Sequence, residues 1–471
     1  MIEVNHPIED NHKYFLILLC NKACLFVFVM NESENNKIIS NVLFGYGEVD
    51  ITPSYPVELV GFDREDQQSR GVLDRLTAQI LLFEDNRDEY VIIVIDSLGF
   101  TVALTSELRR IIAAEYSIKI ENIMVCFTHC HSAPNAAREV KYYEFVCNRI
   151  LHGISEACNS RIPVIAAWGC AGANIGINRR DKDGVVDKRV GVLKICSSAT
   201  NKVIALLLRI TAHANVLSSD NYCISSDFIG VTRKQIGNKY NCKVVITQGA
   251  SGNVRPRFQH PKAVMDILSD PNLKKKLESE SKQAMLNMAN EIDKSIEQIV
   301  IDAVPEEIHN LKMLSSVKRF YADVPNMEAA QKIAVEAKKN ADIDGSDWLS
   351  EVKALNERGI FRQHKDVEIM YFILNEGCIC GVANEVMCEI SLAIENELND
   401  PLTFFGGYTN GCDGYLPTKE EYEKGGYEVL WSYLLYYKYH GTVMPLNPDS
   451  ALLLVKEILS RRQSLSKQVA P

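Results

Sequence analysis

The chain has 471 residues, of which 46% are hydrophobic and 24% are charged, a balance typical of a globular protein with a large core. The formal net charge is -10, and no cluster of Lys and Arg interleaved with aromatic residues occurs, which argues against a nucleic-acid-binding protein. We therefore expect no nucleic-acid partner.

The chain begins with an extension whose residues 14–30 are strongly apolar but interrupted by Asn21 and Lys22. A secretory leader has a basic start before one apolar block, and a membrane-spanning helix needs about 20 apolar residues without a central charge. Three interpretations of this stretch stay open: a membrane-spanning helix, a degenerate or membrane-associated leader, and a packed or disordered extension. We assign residues 1–41 to this N-terminal extension.

From about Val42 onward, short apolar runs typical of buried strands alternate with amphipathic stretches typical of helices. The predicted strands are 45–53, 78–83, 90–95, 123–127, 164–168, 190–195, 203–210 and 243–247. The predicted helices are 105–116, 140–158 and 227–239. This alternation predicts an α/β fold, with one large layered domain of mixed β-sheets flanked by helices.

Between about residues 260 and 364 the sequence becomes rich in Lys and Glu, which predicts a charged helical insertion. We expect solvated helices at 272–298 and 327–339, with a strand at 311–321 between them. Strands are predicted again at 367–374 and 378–382. The domain is expected to cover residues 42–465, followed by a short tail, 466–471.

The fourteen cysteines are scattered through predicted strands and helices, which indicates buried free thiols in a reducing compartment. Cys378 and Cys380 form a close pair but lack the two-residue spacer and the second pair of a zinc ribbon. Cysteine usage therefore favours a cytoplasmic location, with secretion or membrane association left open.

Candidate metal ligands follow several of the predicted strands. His129 and His131 come directly after one strand, and their spacing places both rings on one face of an extended chain. His213 ends another strand in the same way, and Glu385 lies where a strand gives way to a helical pattern. Imidazoles and carboxylates are common zinc ligands, and open α/β sheets gather their sites at strand ends. Each residue alone is more typical of a structural side chain, so the prediction of a metal site depends on their combination.

Three loops offer further groups for a ligand. Residues 248–256 place two glycines directly after a strand, so that backbone amides can approach a bound molecule. Arg179 and Arg180 follow another strand and present guanidinium groups suited to an anionic or carbonyl oxygen. Tyr415 lies in the glycine-rich loop 408–418, where most tyrosines pack.

Taken together and in order, seven motifs resemble the catalytic domain of the neutral/alkaline, non-lysosomal ceramidases, closest to the short bacterial relatives in that family. The motifs are GEVDITP (47–53), THCHSAP (128–134), INR (177–179), HANVLSSDNYCISSDF (213–228), QGASGNVRP (248–256), NE (384–385) and YTNGCDGYLPT (408–418). The resemblance covers about residues 42–460. It implies a zinc amidase that cleaves the N-acyl bond of ceramide to sphingosine and a fatty acid.

The resemblance also implies a role for each matching residue. The implied ligands of Zn²⁺ are His129, His213, Glu385 and Tyr415. His131 resembles the histidine that faces the water or the substrate at the metal, and Arg179 resembles the arginine that stabilises charge on the scissile carbonyl. Two histidines and one carboxylate leave zinc a position for water, whose pKa then falls to roughly 7. The implied partner is a small-molecule or lipid N-acyl substrate. Transient membrane contact stays open, and the sequence does not indicate the oligomeric state.

The chain departs from the family pattern at three places. Arg255 stands where ceramidases have an essential serine, so we expect it to bind an anionic substrate group instead. Cys412 replaces a frequent tyrosine, and we expect no C-terminal immunoglobulin-like domain. Two alternatives to an N-acyl amidase therefore stay open: a zinc hydrolase of a small polar ester, amide or glycan substituent, and a catalytically silent family member that acts as a binding protein.

Overall fold

The computed structural model of the protein describes residues 41–86, 88–259 and 271–467, which lie within one compact unit, Ser40–Pro471. The predictions for the apolar stretch 14–30 and for all but the last residue of the extension 1–41 lie outside the described residues. Residues 468–471 of the predicted tail lie outside them too. Among the helices that are described, none is both long and apolar enough to cross a membrane.

The strands and helices of the described residues alternate along the chain. The strands are β1 (Leu43–Asp50), β2 (Thr77–Asp85), β3 (Asp88–Ile95), β4 (Ile123–Phe127), β5 (Ile162–Gly172), β6 (Gly176–Asn178), β7 (Arg189–Ser197), β8 (Val203–Ile210), β9 (Lys243–Gln248), β10 (Val254–Pro256), β11 (Leu311–Asp323), β12 (Arg362–Leu374), β13 (Gly377–Gly381), β14 (Asn384–Val386), β15 (Thr403–Gly406) and β16 (Asp413–Leu416). The helices are α1 (Val102–Tyr116), α2 (Val140–Asn159), α3 (Asp227–Tyr240), α4 (Pro271–Asp302), α5 (Met327–Ala341), α6 (Ser346–Glu357), α7 (Cys388–Leu398), α8 (Lys419–Lys424), α9 (Ser432–His440) and α10 (Ser450–Lys467). A π-helical turn, Tyr427–Trp431, leads directly into α9.

Two sheets stacked face to face form the centre of the domain. The larger sheet has the strand order β4-β3-β2-β1-β5-β7-β8-β9, and the smaller has the order β11-β12-β13-β15. Both contain parallel and antiparallel pairs, as the alternating pattern predicted. The mixed α/β fold predicted from the sequence is thus confirmed.

The alternation of side chains along β2 shows how the layers are built. Ile80 and Leu82 point to one face, where they pack in the same core as α1, α2 and α3. Leu81 and Phe83 point to the other face, where Phe83 meets Phe372 of β12 with ring centroids 5.5 Å apart. The strand is apolar throughout because both of its faces are covered.

A close approach of backbones sets the position of α2 on the large sheet. A Cβ atom added to Gly47 of β1 would lie 1.9 Å from the carbonyl oxygen of Gly153 in α2. Only glycine at position 47 lets the helix lie this close to the strand.

Helix α4, in the charged region, differs from the solvated helix that its composition predicted. Its apolar residues recur at helical spacing, and Met288, Ile292 and Ile296 are fully buried in the main core. The charged residues occupy the opposite face of α4. Composition alone therefore did not indicate that this helix packs against α3 and β5. Whether residues 260–364 form a separate insertion stays a prediction.

Candidate metal centre

The ends of three strands of the large sheet meet at one place. The edge strands β4 and β9 lie next to each other, although the strand order puts them at opposite ends of the sheet. Gln248, the last residue of β9, donates from Nε2 to the carbonyl of Thr128 at 2.9 Å and to that of Ala212 at 2.8 Å. One buried amide therefore ties together the loops that carry the three predicted histidines.

These histidines, His129, His131 and His213, form a buried cluster whose ring nitrogens lie within 4.8 Å of one another. Each Nδ1 atom lies against a backbone carbonyl: Leu98 for His129 at 2.8 Å, Gly61 for His131 at 2.9 Å, and Ser251 for His213 at 2.7 Å. A carbonyl oxygen only accepts, so each Nδ1 carries the proton and each neutral ring presents a lone pair at Nε2. All three Nε2 atoms are buried and have no hydrogen-bond partner among the described residues.

The cluster favours neutral imidazoles. Burial, followed by the nearby rings of His129 and His213, lowers the pKa of His131 well below its usual value. Burial, followed by the charge of Arg179, lowers the pKa of His213 to about 4. Neutral rings at neutral pH are the form that binds a metal.

The carboxylate of Glu385 completes the ring of donors. Its Oε2 atom lies 3.2 Å from Nε2 of His129 and 3.4 Å from Nε2 of His213. The two imidazole nitrogens and the carboxylate oxygen are the donor set typical of zinc, and their lone pairs repel one another unless a cation lies between them. The residues present therefore fit a metal ion.

Tyr415 and Arg179 lie beside this ring of donors as a bonded pair. Tyr415 pairs with Glu385 between the parallel strands β16 and β14, and its hydroxyl accepts a hydrogen bond from Nη2 of Arg179 at 2.9 Å. Nη2 of Arg179 also donates to the carbonyl of Gly252 at 2.7 Å, and its Nε lies 2.9 Å from Glu428. Burial disfavours the charged guanidinium, but Tyr415 and Glu428 outweigh it and raise the pKa of Arg179, so the side chain is charged.

Tyr408 is a buried neighbour of the cluster that sequence reasoning missed. Its hydroxyl donates to Oε2 of Glu385 at 3.3 Å and accepts from Oγ of Ser251 at 3.2 Å. Its ring lies over His129, with centroids 4.2 Å apart. Position 408 opens the YTN motif, but nothing in its spacing indicates that this side chain rather than Tyr415 touches the carboxylate.

A cavity of about 140 Å³ opens beside the cluster. His129, His131, Glu385 and Tyr415 line it together with Tyr427, Tyr436, Tyr439, Asp413 and His440. The last five were not singled out from the sequence, because four of them come from a segment whose only signal is its aromatic content and Asp413 lies unmarked within the YTNGCDGYLPT motif. Arg179 is not among the described lining residues and reaches the cavity through the hydroxyl of Tyr415.

Arg255 lies apart from these groups. It is on β10, paired with Ile177 of β6, and its Nη1 donates to the carbonyl of the adjacent Pro256 at 3.4 Å. It is half-buried and is not among the described residues that line the cavity. Its predicted contact with an anionic substrate group stays a prediction.

Comparisons with known proteins concern the family resemblance and the fold. Residues 42–150 match the family model described as neutral/alkaline non-lysosomal ceramidase, N-terminal. The crystal structure of neutral ceramidase from Pseudomonas aeruginosa matches with 17% sequence identity and a TM-score of 0.67, covering 92% of this chain and 75% of that one. A ceramidase complexed with C2 matches with 16% identity and a TM-score of 0.66, covering 91% of this chain and 76% of that one. No curated protein sequence matches significantly. The predicted resemblance to the neutral/alkaline ceramidase family is confirmed, and the two structures show the same fold.

Proposed function

We propose that this ceramidase-like protein is a zinc-dependent amide hydrolase that cleaves an N-acyl bond. The observation that carries the proposal is the buried cluster of three unpartnered Nε2 atoms, two of which, those of His129 and His213, lie 3.2 Å and 3.4 Å from Oε2 of Glu385. His129, His213 and Glu385 would hold the metal, and Tyr415 is the fourth candidate because it pairs with Glu385 and faces the same cavity. When bound, zinc would lower the pKa of a water molecule to roughly 7 and polarise a carbonyl.

The remaining residues of the site act on the substrate. His131 lines the cavity, and its Nε2 can accept a hydrogen bond from the attacking water, because its Nδ1–H is held by Gly61. The charged Arg179 donates to the hydroxyl of Tyr415 and so holds this oxygen at the cavity, where it can either bind the metal or donate its own proton to the oxygen of the scissile carbonyl. Arg179 thereby acts as a positioning residue that also supplies positive charge.

The substrate is proposed to be ceramide or another N-acyl compound. Tyr427, Tyr436 and Tyr439 give the cavity an aromatic wall with polar tips, which suits an amide flanked by apolar groups. The cavity of about 140 Å³ is smaller than the roughly 300–1,000 Å³ of most small-molecule sites. Its size favours a second candidate, in which the enzyme hydrolyses a small polar ester or amide.

A substrate panel on the zinc-loaded protein decides between the two candidates. It should contain a fluorescent ceramide, a short N-acyl amine and a small anionic ester, each assayed with the parent protein and with His129→Ala. We expect amide turnover by the parent alone. Turnover of the small ester alone would favour the second candidate. Tight zinc binding without turnover of any substrate would indicate a catalytically silent protein and overturn the proposal.

The role of Arg255 needs a separate variant. Arg255→Ser restores the residue type of the family at this position. Loss of anionic-substrate turnover with retained ceramide turnover would support an anion-binding role. Unchanged kinetics for both substrates would mean that Arg255 contributes to the turnover of neither.

A further inference from the structure

A histidine and a carboxylate outside the metal cluster face the same cavity. His440 is the last residue of α9, and its Nδ1 lies 3.4 Å from Oδ1 of Asp413 on β16. Both side chains are largely buried, with exposed fractions of 12% and 4%, and both line the cavity beside His131 and Glu385. A distance of 3.4 Å is long for a hydrogen bond, but such contacts between catalytic groups are often long before substrate binds.

The carboxylate of Asp413 is held firmly in place. Asp413 and Tyr415 are two residues apart on β16, so the strand directs both side chains to the same face. Oδ2 of Asp413 forms an ion pair with Lys365 of β12, and the same ammonium group donates to the carbonyl of His440.

Asp413 is the acceptor that faces Nδ1 of this imidazole, although Nδ1 has no hydrogen-bond partner among the described residues. A proton at Nδ1 would face the carboxylate and leave the other ring nitrogen, Nε2, for a substrate. The other groups around the ring are tyrosines: the ring centroid of Tyr433 lies at 5.1 Å and that of Tyr436 at 6.1 Å. The ring also lies at the C-terminus of a helix, where a cation is favoured. Lys365 is the one cation described as bonded to this pair.

We propose that His440 is a catalytic proton donor of the site, oriented by Asp413 as a positioning residue, and this inference rests on the proposed amide hydrolysis. As the water oxygen bonds to the carbonyl carbon and the C–N bond breaks, the imidazolium donates its Nε2 proton to the leaving amine nitrogen. His440 regains a proton from the attacking water, so the products are a carboxylic acid and an amine. A poor leaving group such as an alkyl amine needs this proton.

The kinetic test compares His440→Gln with His152→Gln, in which an exposed histidine of α2 is replaced in the same way. For an N-alkyl amide, we expect His440→Gln to lower kcat about 100-fold with KM nearly unchanged, while His152→Gln matches the parent. For an aryl ester, whose leaving group needs no protonation, the defect of His440→Gln should shrink to a few-fold. Asp413→Asn should give a smaller defect of the same kind. Equal defects of His440→Gln on both substrates would overturn the proposal.

A second readout does not depend on turnover. In protein labelled with ¹⁵N at histidine, the His440→Gln variant identifies the His440 imidazole signals. We expect these signals to show the proton at Nδ1 of the neutral ring and Asp413→Asn to shift it towards Nε2. If the parent protein hydrolyses nothing but this tautomer is found, the proposed function fails while the orientation of His440 by Asp413 is supported. A proton at Nε2 in the parent, or no change in Asp413→Asn, would contradict that orientation.

Discussion

Oε2 of Glu385 lies 3.2 Å from Nε2 of His129, although this nitrogen is buried and both atoms present lone pairs. Nδ1 of His129 is committed to the carbonyl of Leu98, so the proton that could join the two atoms is on the other side of the ring. Two acceptors at this distance repel each other, and a cation removes the repulsion. The pair therefore indicates a site built around a positive ion.

The carboxylate of Glu385 lies close to His129 and His213. We therefore expect these two histidines to be metal ligands and His131 to have a different role. We expect His129→Ala and His213→Ala to weaken zinc binding at least about 100-fold, since each removes a ligand. His131→Ala should keep most of the zinc and lose most of the turnover. Metal analysis after dialysis measures the first effect, and amide hydrolysis measures the second. Equal loss of zinc in His129→Ala and His131→Ala would mean that both residues chelate the metal.

Arg179 and Tyr415 are expected to act as one unit, because the guanidinium reaches the cavity through the hydroxyl. Arg179→Lys and Tyr415→Phe should each lower kcat about 100-fold, the usual effect of removing one oxyanion donor. The double variant should be within a few-fold of the slower single variant, since both changes break the same contact. Additive losses would mean that the two residues act separately.

Arg180→Lys is the matched control for this cycle. The side chain of Arg180 forms ion pairs with Glu421 at 2.6 Å and Glu428 at 2.8 Å and is not among the described lining residues. Its substitution should lower the unfolding temperature while leaving kcat nearly unchanged.

Gly61 is expected to be required for the position of His131. Its φ is 104°, and an added Cβ would lie 2.7 Å from Nδ1 of His131. Gly61→Ala should therefore displace the imidazole and lower turnover more than about 10-fold, in addition to a backbone cost of about 1–2 kcal/mol. Gly359→Ala is the control, because Gly359 also has a positive φ, 71°, but an added Cβ has no atom within 4 Å. Equal turnover in the two variants would contradict the expectation.

Asp227 is expected to make the stability of the fold depend on pH. Burial raises the pKa of Asp227 from 3.8 to about 6, although backbone N–H groups of Leu217, Phe228 and Val216 donate to its carboxylate. Since the folded-state pKa is the higher one, the folded protein binds this proton more tightly than the unfolded chain does. The resulting stabilisation is complete below about pH 4 and is lost as the pH rises through about 6.

Asp227→Asn removes this titration while keeping a residue that tolerates the positive φ of 56°. At about 1.4 kcal/mol per unit of pKa difference, and with the unfolded-state carboxyl already partly ionised at pH 4, the parent should lose about 2 kcal/mol relative to the variant between pH 4 and pH 7. Denaturant unfolding at both pH values measures the difference. If the difference in unfolding free energy between the parent and Asp227→Asn does not change with pH, the prediction is wrong.

The parts of the fold that were predictable from sequence are those set by local pattern. The uniformly apolar run of β4 and the helical spacing of α2 each depend on a single stretch of chain, and both elements lie where they were expected. Helix α4 was misjudged because its Lys and Glu content dominates its composition, although its buried stripe follows helical spacing. The approach of β4 to β9 depends on the curvature of the whole sheet, which no single strand encodes.

The same distinction applies to the candidate site. His129, His213 and Glu385 each end or follow a strand, so their meeting could be inferred from where strands end. The contact of His440 with Asp413 could not, because it depends on how α9 packs against β16. Arg255 was expected beside the substrate from its place in the QGASGNVRP motif, and its position on β10 does not line the cavity described.

The most direct test of the account is the zinc content of the purified protein, measured together with its hydrolysis of an N-acyl amine. We expect about one zinc ion per chain, loss of turnover when a chelator removes it, and recovery of turnover when one equivalent is returned. His129→Ala should show neither binding nor recovery. Full turnover by metal-free protein, or by His129→Ala, would contradict zinc-dependent hydrolysis at this site.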